Sequence, residues 1–276
     1  MRFPFTEHRL RYFTGEKSVG ETPLVALERL RKERELPESL PLAYAGRLDP
    51  MASGKLLILV GEECKVQERY HSFDKEYEVK VLLGIQSDSG DVLGLVHPCG
   101  GGAVDRERVL PTLRKLEGII RLPYPHFSSK TVKGKPLHTW ALEGRLDEID
   151  IPVKESTIYK LAFGSIALIS KEELLKTVRA KIESIPTVTE PSKALGADFR
   201  REAVRETWNR IAEHPKSEYQ VLSFTCTASS GSYMRSLGER IAKELGTCGL
   251  AYAIHRTKIG RYRKLTRNLG LWTKTF

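Results

Sequence analysis

The chain predicts an α+β fold built on an antiparallel or mixed sheet. Three observations lead there. Several short segments alternate apolar and polar residues, or run continuously apolar, as strands do. Others repeat their apolar residues at helical spacing. The two kinds of segment follow one another without regular alternation, and no internal repeat or low-complexity tract organises them.

The elements follow in order. "ETPLVALERLRKE" reads as a helix: Thr22 caps it, Pro23 fits its first position, and Leu24, Leu27 and Leu30 recur on one face. The Pro-punctuated "LPESLPLAYAGRLDP" leads to "KLLILVG", a buried strand, and then to "EECKVQERYHSF", a short helix. "KEYEVKVLLG" alternates and sets Tyr77, Val79, Val81 and Leu83 on one face, with Tyr77 near the strand start and pointing to the core. "SDSGDVLG" is a turn-rich loop, and "DRERVLPTLRKLEG" is a helix capped by Asp105 and disturbed by Pro111. "RLPYPHFSSKTVKGKPLHTWALEG" reads as a long exposed excursion of the functional or mobile kind. "STIYKLAFGSIALI" is a strand. "SKEELLKTVRAKIESI" and "DFRREAVRETWNRIAEH" are amphipathic helices joined by the polar "PTVTEPSKALGA". "YQVLSFTCTAS" alternates again, with Leu222, Phe224 and Cys226 on one face. "SGSYMRSLGERIAKELG" opens a helix whose apolar stripe is Met234, Leu237, Ile241 and Leu245. Arg235 falls in its first turn, off that stripe.

No apolar run approaches the roughly 20 residues that cross a bilayer. The charged N-terminus lacks the continuous apolar core of a signal peptide. The four cysteines, Cys64, Cys99, Cys226 and Cys248, form no C-x-x-C pair and no zinc-like spacing. The expectation is free thiols in a reducing cytoplasm. The net charge is +10, and from Lys216 onward eleven Lys/Arg stand against three Asp/Glu. Such a concentrated excess points to a polyanion partner and favours nucleic acid. Phosphate-binding glycine motifs are absent, which argues against a bound nucleotide cofactor, and no cluster of metal ligands stands out.

Three residues are candidates for chemistry: Asp49 on the turn "YAGRLDPMASGK", Tyr77 at a strand start, and Arg235 at a helix start. A carboxylate without a partner histidine does not suit a hydrolytic triad, but it can attack a sugar or base carbon. An arginine within a few Å favours the ionised form of such a group, and an aromatic ring can stack on a flat substrate. Each residue also has a plainer role: Asp before Pro in a turn, Tyr as core packing, Arg as a surface or phosphate-binding group. Spacing by itself leaves both readings open.

The motifs resemble one family. "AGRLDPMASGKLLILVGEECK" is similar to the G-x-L-D-P-x-A-[ST]-G…GE-x-[TC]-K motif of the bacterial tRNA pseudouridine synthase B (TruB) family. "DKEYEVKVLLGIQSDSGDVLG", "FSSKTVKGKPLHTWALEG", "CTASSGSYMRSLGERIAKELG" and "HRTKIGRY" resemble its later motifs in the same order, from about Lys17 to Tyr262. The resemblance implies a pseudouridine synthase fold, with a mixed, mainly antiparallel sheet flanked by helices and loops. It implies one catalytic domain over 1–276, a thumb at about 122–147 and a helical insertion at about 170–216. On this resemblance the small C-terminal RNA-binding domain of many members is not expected here. By resemblance, Asp49 matches the catalytic aspartate, Tyr77 the tyrosine that stacks on a flipped uracil, Arg235 the aspartate's partner, and Ile254 an apolar pocket position. Tyr44 and Arg47 flank the substrate, and Lys130 and Lys133 of the thumb grip RNA.

The implied reaction isomerises a uridine in RNA, needs no metal or cofactor, and has uridine 55 of the tRNA T arm as its default target. Another RNA target, or a non-catalytic tRNA chaperone, are the alternatives. The partner is RNA, no membrane is involved, and the compartment is the cytoplasm. There are departures. Tyr44 and Ala45 stand where the family often has histidine and threonine, Arg47 replaces a small or polar residue, and the usual lysine-proline is reduced to "EKSVG".

Overall fold

The computed structural model describes residues 10–187, 200–266 and 269–276. Strand β1 (Tyr12–Lys17) leads to helix α1 (Pro23–Glu33), then β2 (Leu42–Ala45) and β3 (Ser53–Val60). A short helix α2 (Glu68–His71) precedes the long strand β4 (Asp74–Leu83) and the ribbon β5 (Ile85–Ser87) and β6 (Val96–Pro98). Helix α3 (Arg106–Lys115) and β7 (Gly118–Pro123) follow, then the small hairpin β8 (Thr131–Val132) and β9 (Lys135–Pro136) with helix α4 (Leu137–Leu142). The remaining elements are β10 (Val153–Ser170), α5 (Lys171–Ser184), α6 (Arg201–Glu213), β11 (Glu218–Ala228), α7 (Met234–Glu244), β12 (Gly249–Lys264) and β13 (Gly270–Thr275).

Nine of the described strands form one sheet, ordered β1-β3-β12-β4-β11-β10-β7, with β13 on β12 and β2 on β3. All its pairings are antiparallel except β3 with β12, so the sheet is mixed. The parallel contact is short, His255 against Ser53 and Arg256 against Gly54. Gly54 makes it possible. Its φ is +110°, and a Cβ there would lie 2.4 Å from the Arg256 carbonyl oxygen. The glycine of the "MASGK" stretch thus lets β12 come alongside the Asp49 turn.

Most sequence expectations hold locally. Thr22 accepts a hydrogen bond from the Val25 amide and Asp105 from the Arg108 amide, as N-caps do. Leu56 to Leu59 are fully buried, each worth about 1.5–3 kcal/mol of transfer free energy as an upper estimate. The stripe Met234, Leu237, Ile241 and Leu245 is buried against β4 and β12. Pro111 sits inside α3 without ending it.

Four expectations change. Leu24 is 57% exposed, because α1 turns Ala26, Leu27 and Leu30 to the sheet instead. The segment "EECKVQERYHSF" splits into a 3₁₀ turn at 61–66 and the single turn α2. The excursion at 122–147 has structure of its own: Lys133 and Gly134 both have positive φ in the tight turn between β8 and β9, and Leu137, Trp140 and Ile149 form a small buried core. Finally, the cysteines are not all free. Cys99 and Cys248 are bonded, with Cα atoms 6.2 Å apart, while Cys64 and Cys226 remain thiols. The pairing follows from tertiary placement, since Gly84 bonds by its carbonyl to the Cys99 amide and by its amide to the Cys248 carbonyl. The expected helices of the 170–216 segment are α5 and α6. Residues 188–199 between them, including the first two residues of the expected second helix, lie outside the described residues. No helix among the described residues is long and apolar enough to cross a membrane.

Candidate active site

The 46–52 turn between β2 and β3 is irregular, so its carbonyls have few sheet partners, and such groups are costly to bury unpaired. Two buried cations and an amide take up those of Gly46, Arg47, Pro50 and Ala52, and the cations also bond the nearby Ser18 and Lys55 carbonyls. Lys17 donates to the carbonyls of Ser18 (2.9 Å) and Ala52 (2.6 Å). Arg256 donates to those of Lys55 (2.7 Å), Arg47 (3.2 Å) and Gly46 (3.3 Å). The Gly20 amide donates to Pro50 (2.9 Å). Burial lowers both cations, Lys17 to about 8. The reduced "EKSVG" segment therefore still carries the lysine that braces this turn.

The braced turn presents Asp49. Its Oδ2 lies 2.8 Å from Arg235 Nε, with the carboxylate 41% exposed and the guanidinium only 3% exposed. The contact is an ion pair rather than an aligned hydrogen bond, which leaves the buried Nε–H without a well-oriented acceptor. Arg235 is fixed elsewhere. It donates to the Ser89 carbonyl (2.8 Å) and the Phe127 carbonyl (3.1 Å), and Asp91 Oδ2 stands 3.7 Å from Nε. Burial opposes the charge on Arg235, yet Asp49 and Asp91 outweigh it and hold the guanidinium above its usual range. Burial pushes the Asp91 carboxyl up, with Arg235 offsetting this only in part. It likewise raises Glu239, one turn along α7, to about 7.

A cavity of about 760 Å³ opens beside the pair and is lined by Asp49, Tyr77, Tyr233, Arg235, Ile254 and Arg256 among others. Tyr77 on β4 faces Arg256 on β12, its register partner. Burial pushes the Tyr77 hydroxyl above its ordinary range, and the neighbouring guanidinium offsets this only partly. The group is thus a neutral phenol near pH 7, with its ring toward the cavity and its hydroxyl near a cation. Tyr44 and Arg47 line the same cavity. Lys130 and Lys133 do not line it. They sit exposed on the 122–147 excursion, Lys130 over the Tyr124 ring and Lys133 bonded to the Glu148 carbonyl. A second cavity of about 510 Å³ shares the wall formed by Tyr44, Arg47 and Asp49, and its lining includes Ile182 of α5 and Val204 of α6.

The structure therefore brings together Asp49, Tyr77, Arg235, Ile254, Tyr44 and Arg47. Sequence reasoning missed Lys17, Asp91, Tyr233 and Arg256. Asp91 was part of a quoted loop but carried no local pattern. Arg256 follows an apolar strand segment and lies within the "HRTKIGRY" motif, where a charge at a core-facing position was a sign of its role.

Residues 37–186, more than half of the chain, match the model of the TruB family pseudouridylate synthase N-terminal domain. The tRNA pseudouridine synthase B of Caldicellulosiruptor saccharolyticus is 26% identical over 245 residues, 89% of this chain and 66% of that protein. That of Azoarcus sp. (strain BH72) is 34% identical over 197 residues, 70% of this chain and 62% of its own length. The chain thus spans somewhat under two thirds of each of these relatives. Among solved structures, a chain of a Cbf5-Nop10-Gar1 complex superposes with a TM-score of 0.53 at 15% identity, over 91% of this chain and 49% of that one, a likeness of fold. By the extent of the family match and the motifs that carry it, the chain belongs to the TruB family of pseudouridylate synthases.

Proposed function

We propose that this chain is an RNA pseudouridine synthase that converts uridine 55 in the T arm of tRNA. The observation that carries the reading is the Asp49–Arg235 pair at the edge of a cavity whose lining includes Tyr77 and Ile254. The name of the curated relatives supports tRNA as the substrate class. A uridine stacked inside a folded arm must leave its stack to enter such a cavity. Tyr77 and Ile254 offer it an aromatic face and an apolar contact, and Asp49 is the reacting group, with Arg235 as its counter-charge. In the reaction the N1–C1′ bond breaks and a C5–C1′ bond forms. C5 loses its proton and N1 gains one, so nothing beyond the ring and the sugar is consumed. The thumb, with Lys130 and Lys133, and the basic C-terminal strands grip the backbone.

The test is pseudouridine mapping of unmodified tRNA and of total RNA after incubation with the protein. Pseudouridine at position 55 is expected. Pseudouridine only at other positions would move the substrate to another RNA, and tight binding without any pseudouridine would make the chain a chaperone.

Tyr77→Phe keeps the ring and removes the hydroxyl. If the C5 proton leaves through that hydroxyl, which as a neutral phenol must pass its own proton on to water as it accepts the new one, turnover falls by about 10²-fold, the lower end for acid–base groups, while affinity for RNA is unchanged. Undiminished turnover would leave Tyr77 a stacking role only. β12 carries Ile254 and Arg256 into the cavity and runs on to the exposed Arg261 and Arg263. Affinity should fall steeply with salt, and replacing both arginines by alanine should reduce the slope of log K against log salt by about 2. A flat salt response would remove this strand from the interface.

A further inference from the structure

Helices α5 and α6 do not simply decorate the surface; α6 is tied to the β5–β6 ribbon at three places. Trp208 Nε1 donates to the Val92 carbonyl (3.0 Å), and the Val96 amide donates to Thr207 Oγ1 (3.2 Å). Arg200, at the N-terminus of α6, donates to both carboxylate oxygens of Asp88, at 2.5 and 3.3 Å. The same guanidinium lies 4.2 Å above the centre of the Phe127 ring. Arg200 has φ +59°, a conformation that side-chain-bearing residues adopt rarely and that needs surrounding contacts to persist.

These contacts matter because of what the same two loops do on their other side. Ser89, next to Asp88, and Phe127 itself supply the two carbonyls that orient Arg235, and Asp91 of the same turn supplies its second carboxylate. The turn is closed internally as well: Asp88 Oδ1 accepts from the Leu95 amide at 2.8 Å, and Asp91 Oδ1 from the Leu93 amide at 2.9 Å. Arg200 therefore joins the turn to the thumb loop from outside, while Arg235 joins them from inside. We propose that Arg200 is a positioning residue: by clamping Asp88 to Phe127 it fixes the two carbonyls that aim Arg235 at Asp49. Helix α6, packed on α5, then acts as a brace for the ion pair, a role that rests on the reading of Asp49 and Arg235 as catalytic. Arginine suits the task, since a lysine can hold the charge but neither the two-point grip nor the flat stack.

The experiment uses the full chain with Arg200→Lys, Arg200→Met, Asp88→Asn and the exchange Arg200→Asp with Asp88→Arg. Each variant is first checked for an unchanged melting transition. Single-turnover rate at saturating tRNA should fall by roughly 10-fold in Arg200→Lys and more in Arg200→Met, a loss of alignment rather than of chemistry. Affinity for tRNA should stay within about 2-fold, and the exchange should recover part of the rate that Asp88→Asn loses. A second readout does not depend on activity. The Nε–H signal of Arg235, assigned by its loss in Arg235→Lys, should exchange with solvent at least about 10-fold faster in Arg200→Met, as expected when local opening becomes easier. An unchanged exchange rate would overturn the clamp. So would weaker tRNA binding at an unchanged turnover rate, which would make Arg200 a phosphate contact. If the wild-type chain makes no pseudouridine, the proposed function fails while the exchange measurement still decides the clamp.

Discussion

Asp49→Asn is expected to reduce pseudouridine formation by about 10⁴-fold or more, the scale seen when the group that reacts is neutralised, while tRNA affinity stays within a few-fold. Asparagine has nearly the same shape, so the substitution removes charge and little else. The turn should survive it, because its backbone is held by Lys17, Gly20 and Arg256 and not by the Asp49 carboxylate. The Asp49 side chain is also 41% exposed, so no buried cavity or unpaired carboxylate results. Arg235 keeps Asp91 and its two carbonyl partners. Single-turnover conversion and filter binding measured on the same preparation separate the two effects. Loss of binding together with turnover would mean that Asp49 holds the site open rather than reacts in it.

The strands and helices were legible because their signals are local. Alternation in "KEYEVKVLLG" placed Tyr77 inward, Thr22 and Asp105 announced their helices, and the stripe on α7 was readable from its spacing. The cavity was legible only in part, because it is assembled from distant segments. The resemblance paired Asp49 with Arg235, yet helical spacing alone put Arg235 off the buried stripe. It is buried because the 88–91 turn and the thumb loop close over the start of α7, a covering that no pattern within α7 encodes. Lys17 and Arg256 illustrate the same limit. Each is a cation whose partners are backbone carbonyls, and carbonyls leave no trace in residue identity. The Cys99–Cys248 bond depends on the corner around Gly84, which joins segments 149 residues apart. The thumb was read as irregular because its core is only three buried side chains, too few to set a period.

Arg235→Met should cost both turnover and stability, and the stability cost should grow with pH. The guanidinium is buried and is the counter-charge of two carboxylates, one of them Asp91, itself buried. Methionine fills much of the volume but carries no charge, so Asp91 keeps only the Leu93 amide and the Ser89 hydroxyl on Oδ1 and loses its counter-charge, with Glu239 close to the same site. Removing one partner of a buried pair typically costs about 3–5 kcal/mol. Part of that cost is avoidable, because Asp91 can take up a proton. Its carboxyl already sits above the ordinary range through burial, and Arg235 opposes that rise; without Arg235 it rises further. A carboxyl raised in the folded state favours the protonated form there, so its contribution is full below the unfolded value and is lost as pH climbs through the folded one. The variant should therefore lie nearest wild type in stability at mildly acid pH, and the gap should widen from there through neutral and alkaline pH. Turnover should fall by about 10²–10³-fold, the range for removing one preorganised charge-stabilising group. Denaturant unfolding at a series of pH values, with the activity assay alongside, checks both. A gap that stays constant with pH would mean that Asp91 is not the group left uncompensated, and near-normal turnover would separate Arg235 from the chemistry of Asp49.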